Sequence, residues 1–194
     1  GSYIVDVEGT STLEVGGAIT LDNLHSFGGA VDVKATGDVS LRDTDALLFS
    51  RVDISGSLVL QADGSITQKT NSVVGVVGTA DIRTNSSSSV ILNESNNNFQ
   101  NSVSFAAAKS VSIVDVDGFK IDGSVGGGGL EIAAGGLVSF GATSVMGAVV
   151  VDAVGDVDQS GALTFADTTK LKATGTVVLN NVANDFSGNV KFSV

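Results

Sequence analysis

Two pairs of aspartates are the residues of this sequence whose spacing could do chemistry. One pair is Asp43 and Asp45, and the other is Asp115 and Asp117, each in a segment of the type Ser-Leu/Ile-x-Asp-x-Asp. Paired carboxylates can hold a calcium ion or act as a general acid and base. They can also accept hydrogen bonds from the backbone of their own turn.

The residues around these pairs favour the turn. A calcium loop of the EF-hand type needs an oxygen ligand two residues before the first aspartate, where Leu41 and Ile113 stand. The glycine-rich calcium-binding nonapeptide is also missing. Because the pair recurs in equivalent segments, we expect both pairs to support turns at corners of the fold.

The histidine and the asparagines are the next candidates. His25, the only histidine, lies just before Phe27, where equivalent segments carry asparagine, so a polar turn residue is expected. The asparagines could form amide ladders or contact a ligand, but we expect them to end strands at turns. They are Asn96–Asn98, Asn180, Asn181 and Asn184.

Glycines, arginines and lysines give no site either. Gly126–Gly129 is not a phosphate loop, because no Lys-Ser/Thr pair and no helix follows it, so a slack corner is expected. Arg42, Arg51 and Arg83 do not recur in equivalent segments, and lysines such as Lys34, Lys109, Lys120, Lys170, Lys172 and Lys191 are scattered. The sequence therefore predicts no catalytic, cofactor-binding or metal-binding residues, no cofactor and no enzyme.

Composition limits the class of protein. The chain has 194 residues, a net charge of −11, and no cysteine, proline or tryptophan. The absence of cysteine excludes disulfide scaffolds and thiol catalysis, and the acidic balance argues against nucleic acid and anionic membrane as partners. A hydrophobic share of 42 % argues against disorder. No apolar run approaches the length that spans a bilayer.

Short strands must position these residues, because apolar and polar residues alternate almost everywhere. Segments such as AVDVKA at 30–35, SLVLQA at 57–62 and SVSIVD at 110–115 are separated by turn-forming pairs such as SG, DG and GG. No segment shows a helical stripe over three turns. We therefore expect an all-β protein.

Internal repeats select the architecture. LDNLHSFGGAV at 21–31, LNESNNNFQNSV at 92–103 and LNNVANDFSGNV at 179–190 share one motif, with Phe27, Phe99 and Phe186 in equivalent positions. SLRDTDAL at 40–47 matches SIVDVDGF at 112–119, whereas GSLVLQADGSITQ at 56–68 matches GAVVVDAVGDVDQ at 147–159. The number of residues between equivalent segments is therefore larger for the second match than for the first. The difference is about the number of residues at which short strands recur in the first repeat.

A β-solenoid explains this increase, because a coil that touches only its neighbours can be added without changing the others. We predict a right-handed parallel β-helix of about 8–10 coils with roughly 19–22 residues each. Wide rings should fit only at corners, with Phe27, Phe99 and Phe186 together at one of them. Residues 1–194 should form a single segment excised from a longer repeat protein, with Gly1 and Ser2 as a cloning remnant.

The repeats resemble a known family. LNNVANDFSGNVKF and GDVDQSGALTFADTTKLKATGTVVLNN look like repeats of filamentous-haemagglutinin-like exoproteins. The resemblance covers roughly residues 17–194. Asn101 in place of glycine and the glycine-rich stretch 123–129 depart from it. It implies an internal stalk segment of a large bacterial adhesin, secreted or held at the outer membrane by two-partner or autotransporter export.

A β-solenoid of this kind could have one of three functions. The first is a structural spacer that presents a distal adhesive region, with host surfaces or glycans bound elsewhere in the chain. The second is a carbohydrate-active enzyme, an analogy of fold alone. The third is a module that binds glycan, ice or a host protein, for which the sequence offers only two Thr-x-Thr pairs, Thr10 with Thr12 and Thr174 with Thr176, and one tyrosine, Tyr3. We expect the spacer, its own neighbouring coils as main partners, no membrane span, and a monomer with weak end-to-end association.

Overall fold

Strands form in segments where apolar and polar residues alternate. In the segment 31–35, Val31, Val33 and Ala35 are buried and Lys34 is exposed, because successive strand side chains point to opposite faces. Residues 4–193 are described in this computed structural model, apart from the side chain of Ala107. The expectations for Gly1, Ser2 and Tyr3 lie outside them.

The described residues contain 21 strands and no helix. In chain order they are β1 Asp6–Val7, β2 Ser11–Val15, β3 Ile19–Phe27, β4 Val31–Ala35, β5 Val39–Asp43, β6 Leu47–Ile54, β7 Leu58–Ala62, β8 Ile66–Gln68, β9 Val74–Val76, β10 Ala80–Arg83, β11 Ser89–Leu92, β12 Asn98–Phe99, β13 Ser102–Asp115, β14 Phe119–Ala134, β15 Val138–Val145, β16 Val149–Ala153, β17 Val157–Gln159, β18 Leu163–Phe165, β19 Thr169–Ala173, β20 Asp185–Phe186 and β21 Val190–Ser193.

Each strand pairs in parallel with strands one coil away along the chain. Val39 pairs with Leu58 in the next coil, and Leu58 pairs with Ala80 in the coil after that. Near the other end, Val138 pairs with Val157 in the same way. The chain is therefore a parallel β-solenoid of about nine turns, which confirms the predicted fold class and number of coils.

Each coil has three sides, and one of them changes its place midway. Along each side, strands of successive coils pair into a continuous ladder. Ladder 1 runs through β3, β5, β7 and β10 and then through the first parts of β13, β14 and β15 to β17. Ladder 2 runs through the first part of β6, β8 and β11, the last parts of β13 and β14, and then β16, β19 and β21. In early coils, ladder 3 (β2, β4, the second part of β6, β9 and β12) follows ladder 2.

In late coils, ladder 4 (the second part of β15, β18 and β20) precedes ladder 2 instead. The coils at this change are irregular in length. The coil that leads from Ala80 to its partner Val103 is longer than the next one, which leads from Val103 to Ile121. The third side therefore moves from one flank of ladder 2 to the other within two coils.

The sequence repeat does not contain a whole number of coils. Leu41 lies on ladder 1, paired with Leu60, whereas the equivalent Ile113 lies on ladder 2, paired with Leu92. Equivalent segments therefore face different directions around the axis. The insertion inferred from the sequence does equal one coil, since Phe119 pairs with Val138.

The expected position of the phenylalanines is wrong. Phe27 pairs with Val7 in β1, Phe99 with Val76 on ladder 3, and Phe186 with Phe165 on ladder 4, so the three do not share one corner. They lie within strands, where Phe27 and Phe99 are buried in the core and Phe186 packs against it. Rings also stack between coils: Phe140 and Phe165 have centroids 5.8 Å apart and an edge-to-face angle of 68°.

Gly78 lies where the turns of two successive coils touch, and it has no room for a side chain. A Cβ on Gly78 would lie 2.6 Å from the backbone of Gly56 and Ser57. We expect Gly78→Ala to lower the free energy of unfolding by about 1–3 kcal/mol, because the turns must move apart. Urea denaturation followed by circular dichroism measures this loss.

Gly127→Ala is the matched control for this substitution. No atom lies within 4 Å of the position that its methyl group would occupy, so the same change should leave stability unchanged or raise it slightly. Equal stability of the Gly78→Ala variant and the wild type would contradict the close stacking of the turns.

Candidate functional site

The Asp115 carboxylate joins two consecutive coils. Its Oδ2 accepts a hydrogen bond from the Phe99 backbone N–H at 2.6 Å, and its Oδ1 accepts one from the Asp117 N–H at 3.1 Å. The side chain is buried at the end of β13. Because Phe99 belongs to the preceding coil, one carboxylate fixes both its own turn and the strand below.

Asp43 repeats this arrangement in the first unit. Its Oδ2 accepts from the Phe27 N–H at 3.2 Å, and its Oδ1 accepts from the Asp45 N–H at 2.7 Å. The sequence correctly assigned both aspartate pairs to turns. It did not reveal the second bond to the neighbouring coil, although both aspartates stand 16 residues after a phenylalanine.

Burial changes the protonation of these carboxyls. Loss of solvent raises the pKa of Asp115 to about 6, and the backbone hydrogen bond from Phe99 opposes this shift. Burial likewise raises the pKa of Asp43, opposed by the N–H groups of Asp45 and Phe27. The buried carboxyls therefore favour the folded state more when they are protonated.

A second structural feature is a pair of amides between coils. The Asn97 Nδ2 donates to the Gln68 Oε1 at 2.7 Å, and the Gln68 Nε2 donates to the Asn97 Oδ1 at 3.0 Å. Asn97 also accepts from the Val74 N–H at 2.8 Å and donates to the Leu92 carbonyl at 2.9 Å. We call this four-bond arrangement the amide clasp.

The same clasp occurs in the last coils with Gln159 and Asn184. Their amides exchange hydrogen bonds of 2.7 and 2.9 Å, Asn184 accepts from the Leu163 N–H at 3.0 Å, and it donates to the Leu179 carbonyl at 3.3 Å. In the second coil, His25 takes the place of the asparagine, and its Nδ1 accepts from the Val5 N–H at 2.9 Å. The recurring position thus receives a strand N–H from the preceding coil.

These contacts correct part of the interpretation of the sequence. Asn97 and Asn184 do not simply end strands, and His25 lies within β3 and not in a turn. Gln68 and Gln159 were already equivalent in the repeat, but the sequence does not show which asparagine each one meets. The clasp partners lie 29 and 25 residues apart, so their contact depends on the length of one coil plus a loop.

The glycine run is not a slack corner. Gly126–Gly129 lies within β14, and Gly129 has a φ of +87°. A Cβ there would stand 2.4 Å from the carbonyl oxygen of Ala148 in the next coil. Glycine is therefore required both by the backbone conformation and by the approach of the neighbouring coil. Asn101, which replaces a glycine of the repeat, donates its amide to the Val77 carbonyl.

The surface charges also pair between coils. Lys34 contacts Glu14 at 2.9 Å, and Arg51 contacts Asp32 at 2.8 Å. Arg83 pairs with Asp81 of its own strand. These ion pairs are exposed, so each contributes little to stability.

The lysines are less scattered than the sequence suggested. Lys170 and Lys191 are register partners on ladder 2, and Lys172, in the same strand as Lys170, pairs with Asp152 at 2.8 Å. Within residues 4–193 no group of three His, Cys, Asp or Glu side chains could hold a metal ion. The same residues form no membrane-spanning helix.

The raised pKa of Asp115 predicts a stability that depends on pH. Its folded pKa lies above the unfolded value of 3.8, so the folded state binds more protons between these values and loses stability as pH rises through about 6. We expect unfolding free energy to fall between pH 4 and pH 7.5. Asp115→Asn should reduce this fall by about 2 kcal/mol, as measured by urea denaturation across the pH range.

Asp53→Asn serves as the control, because Asp53 is an exposed carboxylate on the outer face of β6. Its pH profile should follow that of the wild type. The assignment would be wrong if Asp115→Asn kept the full pH dependence.

The amide clasp predicts a large loss at Asn97. Asn97→Leu keeps the branched shape of the side chain but leaves the Val74 N–H, the Leu92 carbonyl and the Gln68 amide without their partner. We expect the free energy of unfolding to fall by about 3 kcal/mol or more. Asn96→Leu, at the exposed neighbouring position, should change it by less than about 0.5 kcal/mol; similar losses in both variants would count against the clasp.

The comparisons with known proteins agree with a repeat architecture. No curated protein and no solved structure matches the chain. Residues 2–34, 36–106 and 109–193 match the family described as Repeats of unknown function (DUF5649), which names neither an adhesin nor a filamentous haemagglutinin. Since the three matches together cover far more than half of the sequence, the chain belongs to this family of repeats.

Proposed function

We propose that this chain is a stiff spacer segment of a secreted or surface-anchored bacterial protein. It sets the distance between the cell and an adhesive region elsewhere in the same protein. The observation that carries this proposal is that carboxyl and amide side chains at recurring positions join one coil to the next. Asp43, Asp115, Asn97 and Asn184 all bond to backbone groups of a neighbouring coil.

The length of the rod supports a role in holding two parts of a protein at a set distance. About nine turns at about 4.8 Å per turn give a rod roughly 40 Å long. Each coil contacts only its neighbours, so the length follows from the number of coils. The location at the bacterial surface is supported by the resemblance of the repeats to filamentous-haemagglutinin-like exoproteins.

The ionisable groups favour a spacer over an enzyme. Of the candidates, Asp43 and Asp115 hold backbone N–H groups, and Arg51 and Arg83 are held by aspartates. A carbohydrate-active site would need acidic and basic side chains that converge from neighbouring coils into one groove. Incubation with acidic polysaccharides should therefore show no cleavage, and retention on a glycan array would favour the binding module instead.

Removal of one coil tests the spacer directly. Deletion of residues 119–137 joins Gly118 to Val138, which is the register partner of Phe119. We expect this variant to fold with an unchanged β-sheet spectrum, because the remaining ladders stay in register. Its maximum dimension in small-angle X-ray scattering should be shorter by about 5 Å.

Deletion of residues 119–128, about half of the same coil, is the matched control. It places inward residues opposite outward ones and interrupts every ladder beyond it, so it should not fold. If both deletions fold equally well, or if the one-coil deletion unfolds the chain, length is not set by independent coils and the spacer loses its basis.

A further inference from the structure

The outer face of ladder 2 carries opposite charges on neighbouring strands. Three of the ten basic residues of the chain, Lys170, Lys172 and Lys191, lie on β19 and β21. Two acids, Glu131 and Asp152, lie on β14 and β16, the two strands that precede them on this ladder. All five side chains are exposed. One part of this side of the rod is therefore acidic and the adjoining part is basic.

The outward residues of these four coils form two rows along the rod. The first row contains one register partner from each coil: Glu131, Val150, Lys170 and Lys191. The second row lies two residues further along each strand and contains Ala133, Asp152, Lys172 and Ser193. Neighbours within a row stand about 4.8 Å apart, so the ladder fixes the order of the charges.

Some of these charges lack an opposite charge within one copy. Among residues 4–193, neither Lys170 nor Lys191 forms an ion pair, although the two are direct neighbours in the ladder. The Glu131 carboxylate accepts a hydrogen bond from the Ser112 hydroxyl at 3.2 Å. Like charges in directly opposite positions weaken strand pairing, so a carboxylate from outside this copy would stabilise the two lysines.

We propose that a second copy of this chain docks on this face, antiparallel to the first and related to it by a two-fold axis that runs along the strands between β16 and β19. Such an axis keeps each row on its equivalent and reverses the order of the coils. Lys191 then lies opposite Glu131 of the second copy, and Lys172 lies opposite Asp152, with each contact made twice. The contact uses one side of the rod, so it does not rest on the proposed spacer.

Charge complementarity supports this partner. Because Lys172 already contacts Asp152 in its own copy, the two copies together form a square in which positive and negative side chains alternate. Lys170 lies opposite Val150 and one strand away from Glu131 of the second copy. Facing sheets lie about 10 Å apart, a gap that a lysine and a glutamate can bridge together. In these four coils, no like charges are directly opposite each other.

The charges also select the orientation of the two rods. In a parallel pair, facing strands run in opposite directions, so the first row of one copy lies on the second row of the other. Lys170 would then lie opposite Lys172 of the second copy, and the acids would lie opposite Val150 and Ala133. Only the antiparallel pair brings acids and lysines together, and it is therefore favoured.

The contact is weak and sensitive to salt. It covers four strands on one side of the rod, fewer than a stable dimer uses, and its charges are exposed and therefore screened. We expect dimers at high protein concentration in sedimentation equilibrium. The association constant should fall about tenfold from low salt to about 0.5 M NaCl. A chain that stays monomeric at every concentration would overturn the proposal.

Charge reversal tests the contact between Glu131 and Lys191. Glu131→Lys or Lys191→Glu alone should lower the association constant about tenfold, because each change places like charges opposite each other in both contacts of the dimer. An equimolar mixture of the two variants should associate as the wild type does, since opposite charges meet again in both contacts. Failure of the mixture to recover would contradict the register.

Asp53→Lys and Lys120→Glu are the matched controls. They make the same two changes of charge at exposed positions on ladders 3 and 1. Neither variant, nor their mixture, should change the association constant by more than about twofold. Losses as large as those of the ladder 2 variants would show that net charge controls association, and the docking face would be wrong. Circular dichroism confirms that each variant is folded.

Cross-linking of single cysteines tests the orientation, because the chain has no cysteine of its own. Val150 and Ile91 lie on the same outward row and are 38 % and 40 % exposed. In the antiparallel pair, the two thiols of Val150→Cys lie about 11 Å apart, whereas those of Ile91→Cys lie roughly 35 Å apart. A short bis-maleimide should therefore join only the first variant into a covalent dimer. Equal yields from the two variants, whether high or low, would overturn the antiparallel contact.

Discussion

The structure depends on one constraint: each coil must present its backbone hydrogen-bonding groups in register with the coil on either side. A parallel ladder satisfies every inner strand from two neighbours, so no N–H group can be given up, and the chain accordingly contains no proline. Carboxyl and amide side chains at recurring positions obey the same constraint. The carboxyls of Asp43 and Asp115 and the clasps at Asn97 and Asn184 serve the positions where a turn takes the backbone out of the ladder.

These polar groups distinguish this core from a purely aliphatic stack. Buried aliphatic side chains of neighbouring coils can slide by two residues and still meet apolar partners. The Asn97 amide cannot, because its four hydrogen bonds require the Gln68 amide, a strand N–H and a carbonyl at fixed places. Apolar burial thus holds the coils together, while the amide and carboxyl contacts select one register among several.

Much of the fold follows from the sequence, because its cause is local. Alternation in segments such as AVDVKA makes strands, and the change in offset between equivalent segments reveals a coil that can be added. The side of the coil on which a residue lies could not be predicted. Coils differ in length, so equivalent segments shift around the axis in a way that the sequence repeat does not show. For this reason Phe27, Phe99 and Phe186 were wrongly expected at one corner. The clasps were missed because the contact between Gln68 and Asn97 can be predicted only when the position of each segment around the axis is known.

The two clasps enclose loops of different length. Six positions separate Gln68 from Val74, but only four separate Gln159 from Leu163, and the same hydrogen bonds form in both. The same hydrogen bonds therefore tolerate a difference of two residues in the polypeptide that leaves and re-enters the rod between the glutamine and the next strand. Such a junction is suited to the insertion of a foreign peptide. A peptide inserted beside Asn71 would be displayed at a fixed position along the rod, and the amides beneath it would hold its two ends together.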